Sequence, residues 1–376
     1  MGEDERRGGS GEDRISGLPD ELLHDISSAS ARPGRRRSSV LSRRWRHVWA
    51  HLPELRLVAP RAVAVVYSQA PRAPDSFLDT VDGALAGYLA PTLRYLSISL
   101  EQRDVPITAR RVAPWLQFAA EHVVGEIHLY VPRNLPQLAE AVLELPACEG
   151  AERIELSLAY EWRLQLQASS LFSVLTSMKI MSARMKGTEL TSLVCTQCPC
   201  LRDLTLFLEL IAVSDVSMHS NSLRSLVLLV RHTQRLEVVA PNLEELTVYY
   251  QPVEAHISAP KLVKVAWNAD VGRRLNRFAD VGRSLRLLEI GSNSAVPFLT
   301  KQFNEVDELK LSIYIPQGVA GYGSFLNETN KLPKCKSFRI SLTWGNHALV
   351  PSVLQLLKNC SSTKKFSMCY VSRHNL

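Results

Sequence analysis

The densest group of metal-binding side chains in the sequence is Cys195-x-x-Cys198-x-Cys200. A structural zinc site needs four ligands, usually as two separated pairs. Cys148, Cys335, Cys360 and Cys369 offer no second close pair, so no metal is expected there. His47 and His51 are four apart, which on a helix puts both on one face. Val48 stands where a zinc-protease motif carries its glutamate, and no third ligand is near, so both read as solvated histidines. There is no Gly-x-Ser-x-Gly, no phosphate-cradling glycine loop and no dinucleotide fingerprint. Paired carboxylates such as Glu244 and Glu245 alternate faces on a strand. No catalytic residue and no cofactor is assigned, and the chain reads as non-catalytic.

Charge is the other candidate chemistry. Residues 1–25 hold three Arg and eight acids, whereas residues 32–46 hold seven Arg and no acid. A nucleic-acid surface would interleave such bases with aromatics or a reading motif, and neither is present. The run reads as a polar loop and the solvated face of a helix, so no nucleic-acid partner is expected. The 376 residues are 46% hydrophobic and 22% charged, enough for a sizeable core. By length they fit two to three domains, or one elongated array. No run of 18 apolar residues exists, so neither a spanning helix nor a membrane partner is expected. The N-terminus lacks a secretory apolar segment, and the seven cysteines read as reduced thiols, which places the chain in the cytoplasm or nucleus.

One pattern recurs from about residue 90 onward: apolar-x-x-apolar-x-apolar. It appears as Leu93-Leu96-Ile98, Val124-Ile127-Leu129, Ala151-Ile154-Leu156, Leu175-Met178-Ile180, Leu201-Leu204-Leu206 and Leu223-Leu226-Leu228. It continues as Leu243-Leu246-Val248, Leu262-Val265-Trp267, Leu285-Leu288-Ile290, Val306-Leu309-Leu311, Cys335-Phe338-Ile340 and, more weakly, Thr363-Phe366-Met368. The middle residues advance 270 positions in eleven steps, about 24.5 per step. A period in the twenties with this leucine signature marks a leucine-rich repeat. The second and third apolar residues are two apart, so on a strand they share a face. Each strand is too short to bury that face alone, and stacking supplies the common core. Ala240-Pro241-Asn242-Leu243 and Ala259-Pro260-Lys261-Leu262 read as one turn used twice.

The residues flanking each middle apolar one point outward. Together they line the concave surface of a solenoid, where a target would lie. From that row we take Tyr95, His128, Lys179, Lys264, Lys310, Arg339 and Lys365 as candidate target contacts.

Residues 14–52 differ. Leu18, Leu22 and Ile26 are four apart with Leu23 beside them, one helical stripe with Pro19 in its first turn. Leu41, Trp45, Val48 and Trp49 form a second stripe, flanked by Val40. Two helices this short cannot bury both stripes by themselves, so the remaining face must meet the repeats or a partner.

Residues 13–26, Asp-Arg-Ile-Ser-Gly-Leu-Pro-Asp-Glu-Leu-Leu-His-Asp-Ile, resemble the opening of a plant F-box. Residues 39–49, Ser-Val-Leu-Ser-Arg-Arg-Trp-Arg-His-Val-Trp, resemble its closing helix. The order, F-box and then irregular repeats, is similar to the plant F-box/leucine-rich-repeat family. Residues from about 332 to 370 are similar to the start of the FBD-type extension many members carry. Cys198-Pro199 falls where such repeats often have Cys-Pro.

The fold class so implied is α/β: a small N-terminal helical F-box-like module followed by an irregular leucine-rich-repeat solenoid. The expected division is a disordered leader at 1–13, the module at 14–57, a linker or cap at 58–92, repeats at 93–331 and terminal repeats at 332–376. The resemblance implies a substrate-recognition subunit of a Skp–cullin–F-box ubiquitin ligase. A Skp-family adaptor, and through it a cullin, would dock on Ile15, Leu18, Pro19, Leu22, Leu23, Ile26, Val40, Leu41, Trp45, Val48 and Trp49. The repeats would hold an unidentified target protein. One departure stands out. Residues 27–38 carry no large apolar side chain and include Pro33-Gly34, where the family has a further leucine-bearing helix. Losing about two buried leucines removes roughly 3–6 kcal/mol of burial. The alternative is a repeat-based binding protein that has lost ligase docking, acting as a decoy or without function.

Overall fold

The computed structural model describes residues 50–59, 75–100, 107–132, 141–167, 170–250, 252–270, 276–279, 285–315, 332–344, 358 and 363–371. The stripes between Ile15 and Trp49, and the segment 27–38, lie outside the described residues.

Among the described residues seventeen strands, all paired in parallel, form the body. The repeat strands are β1 (Glu54–Val58), β2 (Leu93–Ser99), β3 (Val123–Tyr130), β5 (Arg153–Ser157), β7 (Ser177–Met185), β8 (Asp203–His219) and β9 (Ser225–Val239). They continue as β10 (Glu245–Val248), β12 (Lys264–Trp267), β14 (Leu287–Ile290), β15 (Glu305–Ile315), β16 (Lys334–Trp344) and β17 (Lys365–Val371). Every middle apolar residue of the repeat pattern lies opposite the next. Leu96 pairs with Ile127, Ile127 with Ile154, Ile154 with Met178, Met178 with Leu204 and Leu204 with Leu226. The column runs on through Leu246, Val265, Leu288, Leu309 and Phe338 to Phe366. A parallel ladder repeats this register because a slip of one residue would turn each leucine out to solvent. From Leu96 to Phe338 the column is buried, whereas Phe366 on the last described strand is 39% exposed.

The column also extends one rung earlier than the sequence reading placed it. Leu55 on β1 lies opposite Leu96, and Leu52, Leu55 and Leu57 repeat the same apolar spacing and are buried. Residues 52–57, assigned above to the helical module, therefore form the first coil. Nor is the stretch 58–92 only a linker: its described part holds α1 (Asp75–Ala86). The Ala50 carbonyl accepts from the amides of Leu89 and Ala90, and the Tyr88 hydroxyl lies 2.9 Å from the Leu52 and Thr92 carbonyl oxygens.

A second correction falls at β3. The inward residue opposite Leu93 is Val123, while Val124 is 44% exposed. The register shifts between Leu93 and Tyr95, so one extra residue enters β3 as a bulge. Gly125 permits it: a Cβ there would run into the Arg94 carbonyl oxygen.

Helices contribute less than an α/β class suggests. Besides α1, the described residues hold α2 (Ala109–His122), α3 (Gly187–Ser192) and α4 (Val296–Gln302). Helix α2 buries Val112, Trp115, Leu116 and Ala119, the i, i+3, i+4, i+7 stripe of one face. Asp82 accepts from the Trp115 indole at 2.6 Å and ties α2 to α1. The returns of the central coils are strands instead. β4 (Ala141–Leu145), β6 (Trp162–Leu166), the later halves of β7, β8 and β9, then β11 (Glu254–Ser258) and β13 (Asn276–Ala279) form a second row. Their alternation explains it: Leu236 and Val238 point in while Arg235 and Glu237 point out, a period of two rather than 3.6. The bent strands turn where backbone enters the left-handed region, at Ser182 (φ 57°) and His232 (φ 63°). His232 Nδ1 lies 3.2 Å from the Leu210 carbonyl oxygen and 3.3 Å from Glu209 Oε1, which fixes the corner. No helix among the described residues is long and apolar enough to cross a membrane.

Candidate functional site

The cysteine group resolves into a repeat turn. The Leu201 amide donates to the Cys198 carbonyl at 3.3 Å. The same i to i+3 bond joins Ala151 to Cys148, Leu175 to Phe172, Leu243 to Ala240 and Leu262 to Ala259, at 3.0–3.4 Å. Cys198 therefore stands where other coils place Ala or Phe, a buried apolar post just before the first leucine. Burial pushes the Cys198 thiol, like that of Cys148, up to about 12. Cys195 and Cys200 are exposed and point elsewhere. Among the described residues no three His, Cys, Asp or Glu side chains stand close enough to hold a metal ion.

One Ser/His/Glu grouping lies on the second row. Ser217 Oγ is 3.1 Å from His219 Nε2 and 3.0 Å from Glu237 Oε2. In a nucleophilic triad the acid orients the imidazole through the nitrogen opposite the serine. Here Glu237 approaches the same nitrogen, at 3.7 Å, so the three groups share one proton site and form no relay.

The outward face of the repeat strands carries the candidate target contacts, and the structure sorts them into four sets. Tyr95, His128 and Lys179 come together in one charged ladder. The Arg56 guanidinium sits 4.4 Å from the Tyr95 ring centre, and the Tyr95 and His128 rings are 5.1 Å apart. His128 reaches Glu126 at 3.1 Å and Glu155 at 3.5 Å. Glu126 also binds Arg153 at 3.2 Å, and Glu155 binds Lys179 at 2.7 Å. Lys264 stands apart and pairs with Glu245 at 3.1 Å. Lys310 and Arg339 share Glu308 at 4.0 and 3.8 Å. Lys365 lies beyond them on β17. Most of these residues are thus engaged with neighbours on their own sheet.

A different set, not singled out from sequence, occupies the next outward row. Residues one past the third apolar position follow one another across the ladder as Tyr130, Ser157, Met181, Phe207 and Leu229, with Tyr249 on the next coil. Ser99 precedes the row and Asn268 and Gly291 follow it, so its ends are polar or bare. The centre from Met181 to Tyr249 is apolar, and at the inter-strand spacing it spans about 14 Å. Phe207 and Tyr249 meet edge to face at 5.7 Å, arching over Leu229. Tyr249 is 46% exposed. Beside this ridge the inner outward row runs from Lys179 to the small or apolar Thr205, Val227 and Thr247. The signal was present in the sequence as continued alternation past each leucine triplet.

A family model described as "FBD-associated F-box protein At5g56370, LRR repeats" matches residues 112–270. The F-box protein At5g03100 of Arabidopsis thaliana is 32% identical over 124 residues, 33% of this chain and 35% of that protein. The F-box/FBD/LRR-repeat protein At5g22660 of the same plant is 27% identical over 229 residues, 59% of this chain and 46% of its own length. F-box/LRR-repeat protein 25, also from Arabidopsis thaliana, is 25% identical over 264 residues, 65% of this chain and 88% of that protein. The chain therefore spans about a third to a half of the first two of these relatives. In its repeats and in these likenesses, the chain is similar to the plant F-box/leucine-rich-repeat proteins of the FBD-associated type.

Proposed function

We propose that this protein is a substrate-recognition subunit of a Skp–cullin–F-box ubiquitin ligase, working in the cytoplasm or nucleus. The N-terminal stripes, Leu18 to Ile26 and Leu41 to Trp49, dock a Skp-family adaptor and through it a cullin. The outward face of the repeat strands holds a target protein. The mechanism is proximity: a held target meets the ubiquitin-charged enzyme at high effective concentration, with no bond chemistry on this chain. The observation that carries the reading is the unbroken register from Leu55 to Phe366, which makes one continuous face across the coils, joined to relatives named as F-box proteins.

Co-purification of the full chain with a plant Skp-family adaptor tests it. Retention by the native protein, lost in Leu18→Asp and in Trp45→Ala, is expected. A second reading is favoured by the missing apolar residues of 27–38: a repeat protein that no longer engages the ligase. It predicts no association with the native chain and recovery when residues 27–37 are replaced by an apolar-patterned helix.

A further inference from the structure

On the reading of the outward face as the target-holding surface, we infer that the target docks through a short segment pairing an apolar or aromatic side chain with a nearby carboxylate. The apolar group seats on the ridge Met181, Phe207, Leu229 and Tyr249, and the acid meets Arg231.

Three observations lead there. The ridge is the one stretch of its row, among the described residues, where large apolar side chains follow one another without a polar break; toward one end Ser157 interrupts it and toward the other Asn268 and Gly291 close it. Its shape is preset by the edge-to-face pair of Phe207 and Tyr249 over Leu229, so seating a partner orders little that is not ordered already. A span of about 14 Å suits four or five extended residues, at about 3.3 Å each.

Charge selects the partner. Immediately beyond the ridge, Arg184, Glu209 and Arg231 stand in one register row. The only carboxylate in that row is held by His232 at 3.3 Å. Arg231 is exposed and carries no ion pair among the described residues. On the opposite side of the ridge the nearest row is Lys179, Thr205, Val227 and Thr247, and its one charge, Lys179, is held by Glu155 at 2.7 Å. The rim beyond that carries Arg202 and Arg224 against Asp203, Glu244 and Glu245, the last paired with Lys264 at 3.1 Å, so it offers no excess of positive charge. An acid on the partner therefore finds an uncommitted cation at Arg231, next to Leu229, whereas Lys179 on the other side is already paired with Glu155. A basic partner would find Glu209 already engaged by the His232 imidazole. Guanidinium also binds carboxylate through two parallel hydrogen bonds, which adds direction to the contact.

The test is selection of a random-peptide display library on the immobilised full-length protein, with no adaptor present. Enriched peptides are expected to carry an aromatic or large aliphatic residue within three positions of Asp or Glu. On Arg231→Glu the apolar residue is expected to persist while the acid is replaced by Lys or Arg. Individual acidic peptides should bind that variant at least tenfold more weakly. Leu229→Asp should abolish enrichment. Tyr249→Ser, at a half-exposed side chain, repeats that test should Leu229→Asp fail to fold. Failure of the native chain to enrich any motif, enrichment without an acid, or an acid preference unmoved by Arg231→Glu would each overturn the proposal. Adaptor docking does not enter the assay, so loss of the ligase reading leaves these outcomes unchanged.

Discussion

The contest between a metal site and a repeat turn at Cys195, Cys198 and Cys200 is decided by alkylation kinetics on the native protein. The thiolate is the reacting form. With the Cys198 thiol raised from 9.0 to about 12 by burial, its thiolate fraction near pH 8 falls about a thousandfold below that of an ordinary thiol. A more basic thiolate is intrinsically more nucleophilic, and at a Brønsted slope near 0.45 this returns about twentyfold. The chemistry alone leaves a deficit of about fiftyfold, and a side chain only 1% exposed adds a barrier of access. Iodoacetamide followed by peptide mass spectrometry should therefore show Cys195 and Cys200 modified early, with Cys198 and Cys148 at least fiftyfold behind. In concentrated urea the four rates should converge. Cys198→Ala should fold, since Ala240 and Ala259 hold the same turn position. Modification of Cys198 as fast as Cys195 in the native state refutes the buried-post reading. Joint protection of all three cysteines by zinc would restore the metal site.

Three further outcomes follow from the coil geometry. Leu226→Ala, at the fully buried centre of the column, should lower stability by about 3–5 kcal/mol, read as a shift of the urea midpoint. Gly125→Ala should cost about 1–3 kcal/mol because its Cβ meets the Arg94 carbonyl oxygen, whereas Gly83→Ala, with open space around it, should not. At the β9 corner, His232→Gly should be more stable than His232→Ala by about 1 kcal/mol in thermal melts, since both lose the Nδ1 hydrogen bond but only glycine takes φ 63° without strain.

What the sequence disclosed tracks the strength of the period. Leucine columns read well because each triplet places three side chains in one core, and one register satisfies all of them. The first coil was hidden at Leu52, Leu55 and Leu57 because its spacing overlaps the end of the helix-like stripe that closes at Trp49. Val123 was passed over for Val124 because a bulge shifts the frame by one residue, and only Gly125 hints at it. The second row of strands escaped notice because stretches such as Arg235 to Val239 are short, and alternation over five residues competes poorly with the larger repeat. The leucine stripes of residues 15–49 stay a reading of sequence.

The same contrast explains why charge was the wrong guide to the outward face. Lys179, Lys264, Lys310 and Arg339 were chosen as the visible cations, yet each lies within 4.0 Å of a carboxylate on its own or the neighbouring strand. Exposed pairs of this kind contribute about 0–1 kcal/mol each and must be broken or re-solvated before they can serve a partner. They keep parallel strands in register and discourage wrong partners. A half-exposed apolar side chain has no such prior engagement. Fully burying one of the size of Leu or Phe contributes about 1.5–3 kcal/mol. Covering what remains exposed of Met181, Phe207, Leu229 and Tyr249 contributes a part of that figure each and breaks no ion pair. On a face built of leucine coils, the place to look for a target is the apolar run from Met181 to Tyr249, with Arg231 beside it as an exposed cation that carries no ion pair among the described residues.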